Sequence, residues 1–480
     1  MQLAPLPKED GGHLVAKRNK KSADAGFFHI KIDQKGNDSM AQFGQPLEKA
    51  ELNKLSNSLH KEPNAEVLTR TITHNGIDAA AFDPQAAVRL DPVFSLELET
   101  GKVTNQKRSG RCWLFSAANM LRHQFAKQYK VKNFELSEKY LFFWDKIERA
   151  NIFYDRVIAT ANRPLSDREV SFYFEMPDDD GGQWDMAAAL VEKYGVVPVS
   201  AYPETANSED TSALAATLNR KLRQDGLQLR QLIAEEKSDV EIIAAKEAML
   251  ATAYKITAYA LGEPPMQFDL TYRDDDKQYH RVTDLTPQQF YQDYIDMDLS
   301  EYVTVTNSPD KPLNQLYRLP SEENVVGGRQ IQFLNVEMDV LEQVALAQLQ
   351  DGQAVWFGND VMQQMDRKRG YLDSNLYRYS ELFGVELQMT KAQRLETHEA
   401  EVSHAMTLTG ADVVADKVTK WKVENSWGAK NGEDGYFTMS ADWMNDFVYE
   451  VVVNKKYLTD TQRELLTKAP VELPAWDSLA

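Results

Sequence analysis

Among the 480 residues there is a single thiol, Cys112, and three polar side chains stand where they could serve it. A thiol attacks a peptide carbonyl efficiently only as thiolate, a form favoured at a helix N-terminus or beside an imidazolium. The run WLFSAANMLRHQFAKQY places Leu114, Ala117, Ala118, Leu121 and Phe125 at helical spacing with no Gly or Pro, so Cys112 falls at the start of a helix with a buried face. Gln106 lies six residues earlier in NQKRSGRCW. Its amide could face the same carbonyl oxygen as the Cys112 N–H, making a two-donor oxyanion hole. His404 opens the alternating run SHAMTLTG, from which an imidazole can project off a rigid strand. Asn425 ends another strand-like run, KVENSWG, where its amide could fix the histidine tautomer while Trp427 shields that bond from water. A lone cysteine is ordinarily a small buried hydrophobe. It is the set of three polar groups placed to serve it that turns the reading towards a nucleophile.

Other residues do not compete for these roles. His123 is on the same helix as Cys112, roughly 16 Å away at 1.5 Å per residue, too far to be its base. No histidines show metal-ligand spacing and one cysteine leaves no thiolate cluster, so no metal or organic cofactor is implied. Asp178, Asp179 and Asp180 lack the spacing of a calcium loop and read as a solvated turn. The balance of 54 basic against 73 acidic residues, −19 net, disfavours nucleic acid and anionic lipid as partners. No apolar run is long enough to span a bilayer, and the polar start lacks a secretory core. With one free thiol, these features point to a cytoplasmic address.

The elements that must position the site follow from pattern. Residues 1–39, mixed in charge and rich in glycine, read as an appended or poorly ordered extension. Leu47, Leu52, Leu55 and Leu59 predict an amphipathic helix, and residues 88–98 an extended stretch leading to the Cys112 region. Between 206 and 330 come two long charged helices, a hairpin around an Asp-rich turn, and a Thr-Pro-started helix. Short β-type runs fill the last third, so helices gather early and strands late, which is the α+β pattern.

The order Gln106, Cys112-Trp, Ser-His404-Ala, Asn425-Ser-Trp-Gly resembles the papain superfamily. DGGQWDMAAALVEKYGVVPVSAYP adds a likeness to its Gly-Gly substrate wall, which implies that Gly181 and Gly182 offer backbone groups to an extended peptide. About 290 residues separate Cys112 from His404, twice the papain spacing, so a large insertion is implied. That length, GKVTNQKRSGRCW, and the ending LPAWDSLA resemble the bacterial aminopeptidase C / bleomycin hydrolase family over roughly residues 45–480.

The resemblance implies a papain-like two-lobed fold. Residues 40–205 would form an N-terminal arm and helical lobe with Cys112, 206–330 a mainly helical insertion, and 331–469 a β-rich lobe with His404 and Asn425. Residues 470–480 would be a C-terminal arm entering the cleft. It also implies a homohexamer acting on peptide substrates, with Leu473 to Leu479 plugging the acyl half of the cleft. The Ala480 carboxylate would then meet the substrate's α-ammonium, which would make the enzyme an aminopeptidase. An oligopeptidase or endopeptidase of the same family, or a non-catalytic oligomeric binding protein on this scaffold, remain the alternatives.

Overall fold

The computed structural model describes residues 46–479, so the expected extension 1–39 and Ala480 lie outside the described residues. The chain divides after Ile77 into two compact units. In the first, the leucine spacing gives the expected helix, Lys49–Leu59, opened by a reciprocal capping box between Glu48 and Glu51. A second helix, Ala65–Asn75, follows it. Leu47, Leu52, Leu55 and Leu59 are all exposed.

The second unit begins with helices. Cys112–Tyr129, Glu138–Ala159 and Trp184–Tyr194 pack with the long helices Ser212–Ala234 and Asp239–Leu261 around one apolar core. Polar side chains set where these helices start. Ser137 accepts the Tyr140 N–H, and Ser238 and Glu241 form a capping box. The Asp-rich turn joins Phe268–Arg273 to Tyr279–Leu285 as an antiparallel hairpin, and Thr286 with Pro287 starts the helix Pro287–Tyr294.

A second core lies under a large mixed sheet. Its centre runs in the order Tyr302–Thr306, Val448–Asn454, Val355–Asn359, His404–Val414, Lys417–Glu424, Tyr436–Ser440. The helix Met338–Gln350 covers it with Leu341, Val344, Ala345 and Leu349. This is an α+β fold of helical and β-rich lobes. Two local expectations change. Within 88–98 the chain first completes a helical turn, Ala86–Arg89, that buries Ala86 and Leu90, and only Leu96–Glu97 is strand. Tyr302–Thr306 and Gln315–Arg318, inside the 206–330 segment, are strands of the large sheet, because their β-branched and aromatic residues pair with remote partners, Tyr302–Thr306 with Val448–Asn454.

The Asp178–Asp180 segment is not a solvated turn. Asp178 is fully buried, and the equally buried Lys146 ammonium lies 2.8 Å from its Oδ1, 3.1 Å from Asp180 Oδ1 and 2.6 Å from the Asp179 carbonyl. Burial works against the Lys146 charge, but Asp178, Asp180 and Asp145 together hold it above its usual range. Burial likewise pushes the Asp178 carboxyl up to about 6, against the pull of Lys146. One cation therefore pins the loop that runs into Gly181 and Gly182. Lys146→Met, which leaves the Asp178 and Asp180 carboxylates without their cation, is expected to lower stability by about 3–5 kcal/mol. Urea unfolding measures this, and a loss under about 1 kcal/mol would show that something else holds the loop.

Candidate active site

Cys112 is the first residue of its helix. Arg111 before it makes no side-chain cap, so the first-turn N–H groups stay available and their partial positive charge falls at the thiol. Arg111 is completely buried instead, donating to both Glu204 carboxylate oxygens at 3.0 and 2.8 Å and to the Ser208 carbonyl at 2.7 Å. That clamp fixes where the helix begins.

His404 is the first residue of its strand and pairs across to Asn359, which sets Ala405 opposite Gly358. Asn425 follows the neighbouring strand Lys417–Glu424 directly. The His404 Nε2 and Asn425 Oδ1 are 3.0 Å apart, and the Ser426 N–H donates to the same oxygen at 2.8 Å. An atom that accepts from a backbone N–H is the amide oxygen, so His404 carries its proton on Nε2 and leaves Nδ1 as a base. Trp427 stacks on the imidazole with centroids 4.8 Å apart, and Arg367 lies over Trp427 at 4.3 Å. An indole thus lies over the histidine that bonds Asn425.

The helix and strand meet near the thiol: the Ser116 hydroxyl, one turn on from Cys112, donates to the Met406 carbonyl at 2.6 Å, two residues past His404. Burial pushes the thiol up, opposed by the N–H groups of Ala405, Trp113 and Cys112. Burial pushes the imidazole down to about 4, opposed by the bond to Asn425 and reinforced by Arg367. Each group alone is held neutral. An ionised thiol here has to coexist with the imidazolium that took its proton.

Gln106 is held from both ends. The Ser426 hydroxyl donates to its Oε1 at 2.6 Å and its Nε2 donates to the Ser109 carbonyl at 2.6 Å, which leaves one amide hydrogen uncommitted. Its own N–H donates to the Ser426 carbonyl at 2.8 Å, and the Gly428 N–H donates to Thr104 at 3.0 Å. Residues 104–106 therefore zip against 426–428 and put Gln106 and Asn425 in one frame. Ser426 was not singled out from the sequence. A serine beside an asparagine carries no signal until the loop before Cys112 is seen against it.

At the Gly-Gly segment, a Cβ on Gly182 would lie 2.8 Å from the Trp113 indole, so only glycine lets this wall pass so close to the Cys112 helix. The Gly181 carbonyl is taken by Arg149. The C-terminal arm reaches the same place. Val471–Glu472 pairs with Gln315–Arg318, Arg168 lies 3.8 Å over Trp476, and Lys311 bonds Asp477 at 2.9 Å and Ser478 at 2.5 Å. Leu479 is buried, its carbonyl accepting from Gln183 at 3.3 Å. The arm is thus ordered up to a residue that touches the neighbour of Gly182. His123 has a structural role, bonded at 2.8 Å to the buried Glu424. Among the described residues, no group of three or more His, Cys, Asp or Glu side chains is placed to hold a metal, and no helix is long and apolar enough to cross a membrane.

A family model, the Peptidase C1-like family, matches residues 46–480. Aminopeptidase G of Lactobacillus delbrueckii subsp. lactis is 54% identical over 430 residues, 90% of this chain and 98% of that one. Aminopeptidase C of the same organism is 47% identical over 429 residues, 88% of this chain and 96% of the relative. The crystal structure of pepw from Lactobacillus rhamnosis HN001 superposes with a TM-score of 0.89 at 47% identity, covering 90% of this chain and 98% of that one. The fold is therefore papain-like, and with Cys112, His404 and Asn425 gathered at the junction of its lobes the chain belongs to the Peptidase C1-like family.

Proposed function

We propose that the chain is a papain-type cysteine aminopeptidase that releases N-terminal residues from peptides, with Cys112 as nucleophile and His404 as its base. Asn425 orients His404, Gln106 and the Cys112 N–H form the oxyanion hole, and Trp427 and the Gly182 segment line the cleft. The observation that carries the reading is the His404–Asn425 bond under Trp427, beside a thiol at a helix start. The relatives named aminopeptidases, alike over nearly their whole length, support the exopeptidase half.

The cycle uses only this chain's side chains and water. The Cys112 proton passes to His404 Nδ1, and the thiolate attacks the carbonyl carbon of the first peptide bond. Negative charge on the carbonyl oxygen is met by the Cys112 N–H and the uncommitted Gln106 amide hydrogen. His404 then gives its proton to the departing amine, leaving a thioester. Water, losing a proton to His404, attacks the thioester, and its collapse frees the amino acid and restores the thiol.

The ordered arm supports the choice of bond. Leu479, buried with its carbonyl bonded to Gln183, supports an arm that keeps residues upstream of the substrate's first out of the cleft. Exposed leucines along Lys49–Leu59 support a homo-oligomer, a hexamer by the family resemblance, since such a stripe suits burial against another copy. A thiol that works only when reduced supports a cytoplasmic location.

Cys112→Ala is expected to lower kcat by at least about 10³-fold with the fold intact, and substantial residual turnover would remove the assignment. Wild-type enzyme should cleave free peptides in preference to N-acetylated ones. Removing residues 473–480 should reduce that activity and expose internal cleavage, whereas unchanged preference after trimming would refute the arm as ruler. Native mass spectrometry should give about six times the 54.6 kDa chain, a monomer mass refuting assembly, and cell fractionation tests the compartment.

A further inference from the structure

Among the described residues, Arg367 is a cation that forms no ion pair and donates no side-chain hydrogen bond, although it stands beside the proposed base. It opens the tight turn between the short antiparallel strands Met365–Asp366 and Tyr371–Leu372. The acid next to it in the chain, Asp366, is committed elsewhere, accepting the Arg369 N–H at 2.9 Å and pairing with the Arg369 guanidinium. Arg367 is exposed, yet it has a fixed seat. It lies 4.3 Å over Trp427, an indole that meets Phe437 edge to face and stacks on His404. Such a contact holds the guanidinium but uses none of its N–H donors.

In this place the charge works against the chemistry. Arg367 is one of the causes that hold the His404 imidazole below its usual range, and an imidazolium has to form there when the thiol gives up its proton. A like charge so close is unfavourable unless an anion joins it while the reaction runs. Since no side chain among the described residues supplies that anion, the substrate is the remaining source.

The strand order gives the side of the cleft. At one end of the sheet is Val471–Glu472, the base of the C-terminal arm, and at the other are Tyr371–Leu372 and Met365–Asp366, the hairpin that carries Arg367. The His404 strand lies between them. In the proposed cycle the arm marks the acyl half, and His404 hands its proton to the departing amine, so the leaving portion of the substrate runs past His404 towards Trp427. The imidazole and indole centroids are 4.8 Å apart and the guanidinium is 4.3 Å from the indole, so Arg367 is no farther from the base than about two extended residues and a hydrogen bond.

We propose that Arg367, seated on Trp427, is a specificity residue that binds a carboxylate of the leaving portion of the substrate, one or two residues past the cleaved bond. The proposal deepens the peptidase reading and rests on it. Two sources share that chemistry: the terminal carboxylate of a di- or tripeptide, and the acidic side chain of the first or second leaving residue. Either presents the planar pair of oxygens that a guanidinium fork matches, and either neutralises the charge that opposes the imidazolium.

The test compares wild type with Arg367→Met, which keeps an unbranched side chain against the indole and removes the charge, and Arg367→Lys, which keeps the charge. Substrates are two pairs that differ only by a carboxylate: leucyl-glycyl-glycine with its C-terminal amide, and leucyl-glutamyl-glycinamide with leucyl-glutaminyl-glycinamide, released leucine being measured by chromatography. In wild type at least one acid is expected to exceed its neutral partner in kcat/KM by about fivefold or more, mainly through KM. Arg367→Met should bring that ratio to within about twofold of one, with Arg367→Lys between the two. A preference in the first pair assigns the terminal carboxylate, and in the second the acidic side chain. A wild-type ratio near one in both pairs overturns the proposal. So does a ratio that survives Arg367→Met, which is what equal loss on all four peptides from a merely structural arginine would give. Failure of the aminopeptidase reading shows separately, as wild-type cleavage confined to the N-acetylated forms of these peptides, on which the same ratios are then read.

Discussion

A single buried carboxylate joins the two lobes at the site. Glu424, with no exposed surface, accepts from Arg122 and lies 2.8 Å from His123, both on the Cys112 helix. Burial works to raise its pKa, but Arg122 and His123 hold the carboxyl below its usual range, so it is ionised and bound. The next residue is Asn425. Two bonds closer to the thiol complete the alignment: Ser116 donates to the Met406 carbonyl at 2.6 Å, and the Trp356 indole to the Trp113 carbonyl at 3.2 Å. Cys112 and His404 come from different lobes, and their approach is only as accurate as this seam. Removing one partner from such a cluster leaves a buried charge, which costs several kcal/mol. The seam is therefore stiff where the chemistry needs it to be.

The opposite wall is built by the same rule. Lys146 gathers the Asp178–Asp180 loop, Arg149 takes Asp145 and the Gly181 carbonyl, and the Trp113 indole donates to Asp180 at 2.8 Å. These bonds hold Gly182 flat against Trp113, the residue after Cys112. The C-terminal arm then rests on that surface, and its ion pair and hydrogen bond to Lys311 are partly buried, so its ordering entropy is offset by more than one contact.

How much of this could be read in the sequence depended on whether the partner was local. Cys112, Gln106, His404 and Asn425 were legible because each sits at the end of an element whose pattern is plain, and their order along the chain is itself a signal. The three aspartates were misread as a solvated turn because their cation, Lys146, is on a helix 32 residues earlier. The strands at 302–318 were grouped with the insertion for the same reason, their pairing partners being remote. The buried acid Glu450 of Val448–Asn454 gave no signal at all, because the strand's central place in the sheet is set by remote partners.

Charge at the site illustrates why composition is a poor guide to chemistry. The chain is strongly acidic overall, yet the helical lobe that carries Cys112 holds the buried cations Arg111, Arg122, Lys146 and Arg149. Each is bound to a carboxylate: Arg111 to Glu204, Arg122 to Glu424, Lys146 to Asp178 and Arg149 to Asp145. Neutralised in this way they fix geometry and contribute little net field at the sulfur. What remains to favour a thiolate is short-range and directional: the open first turn of its helix, the Ala405 N–H, and the imidazolium created by the same proton transfer. Because burial disfavours either charge alone, the thiol and the imidazole can carry charge only together, and the Trp427 indole covers one face of the imidazole.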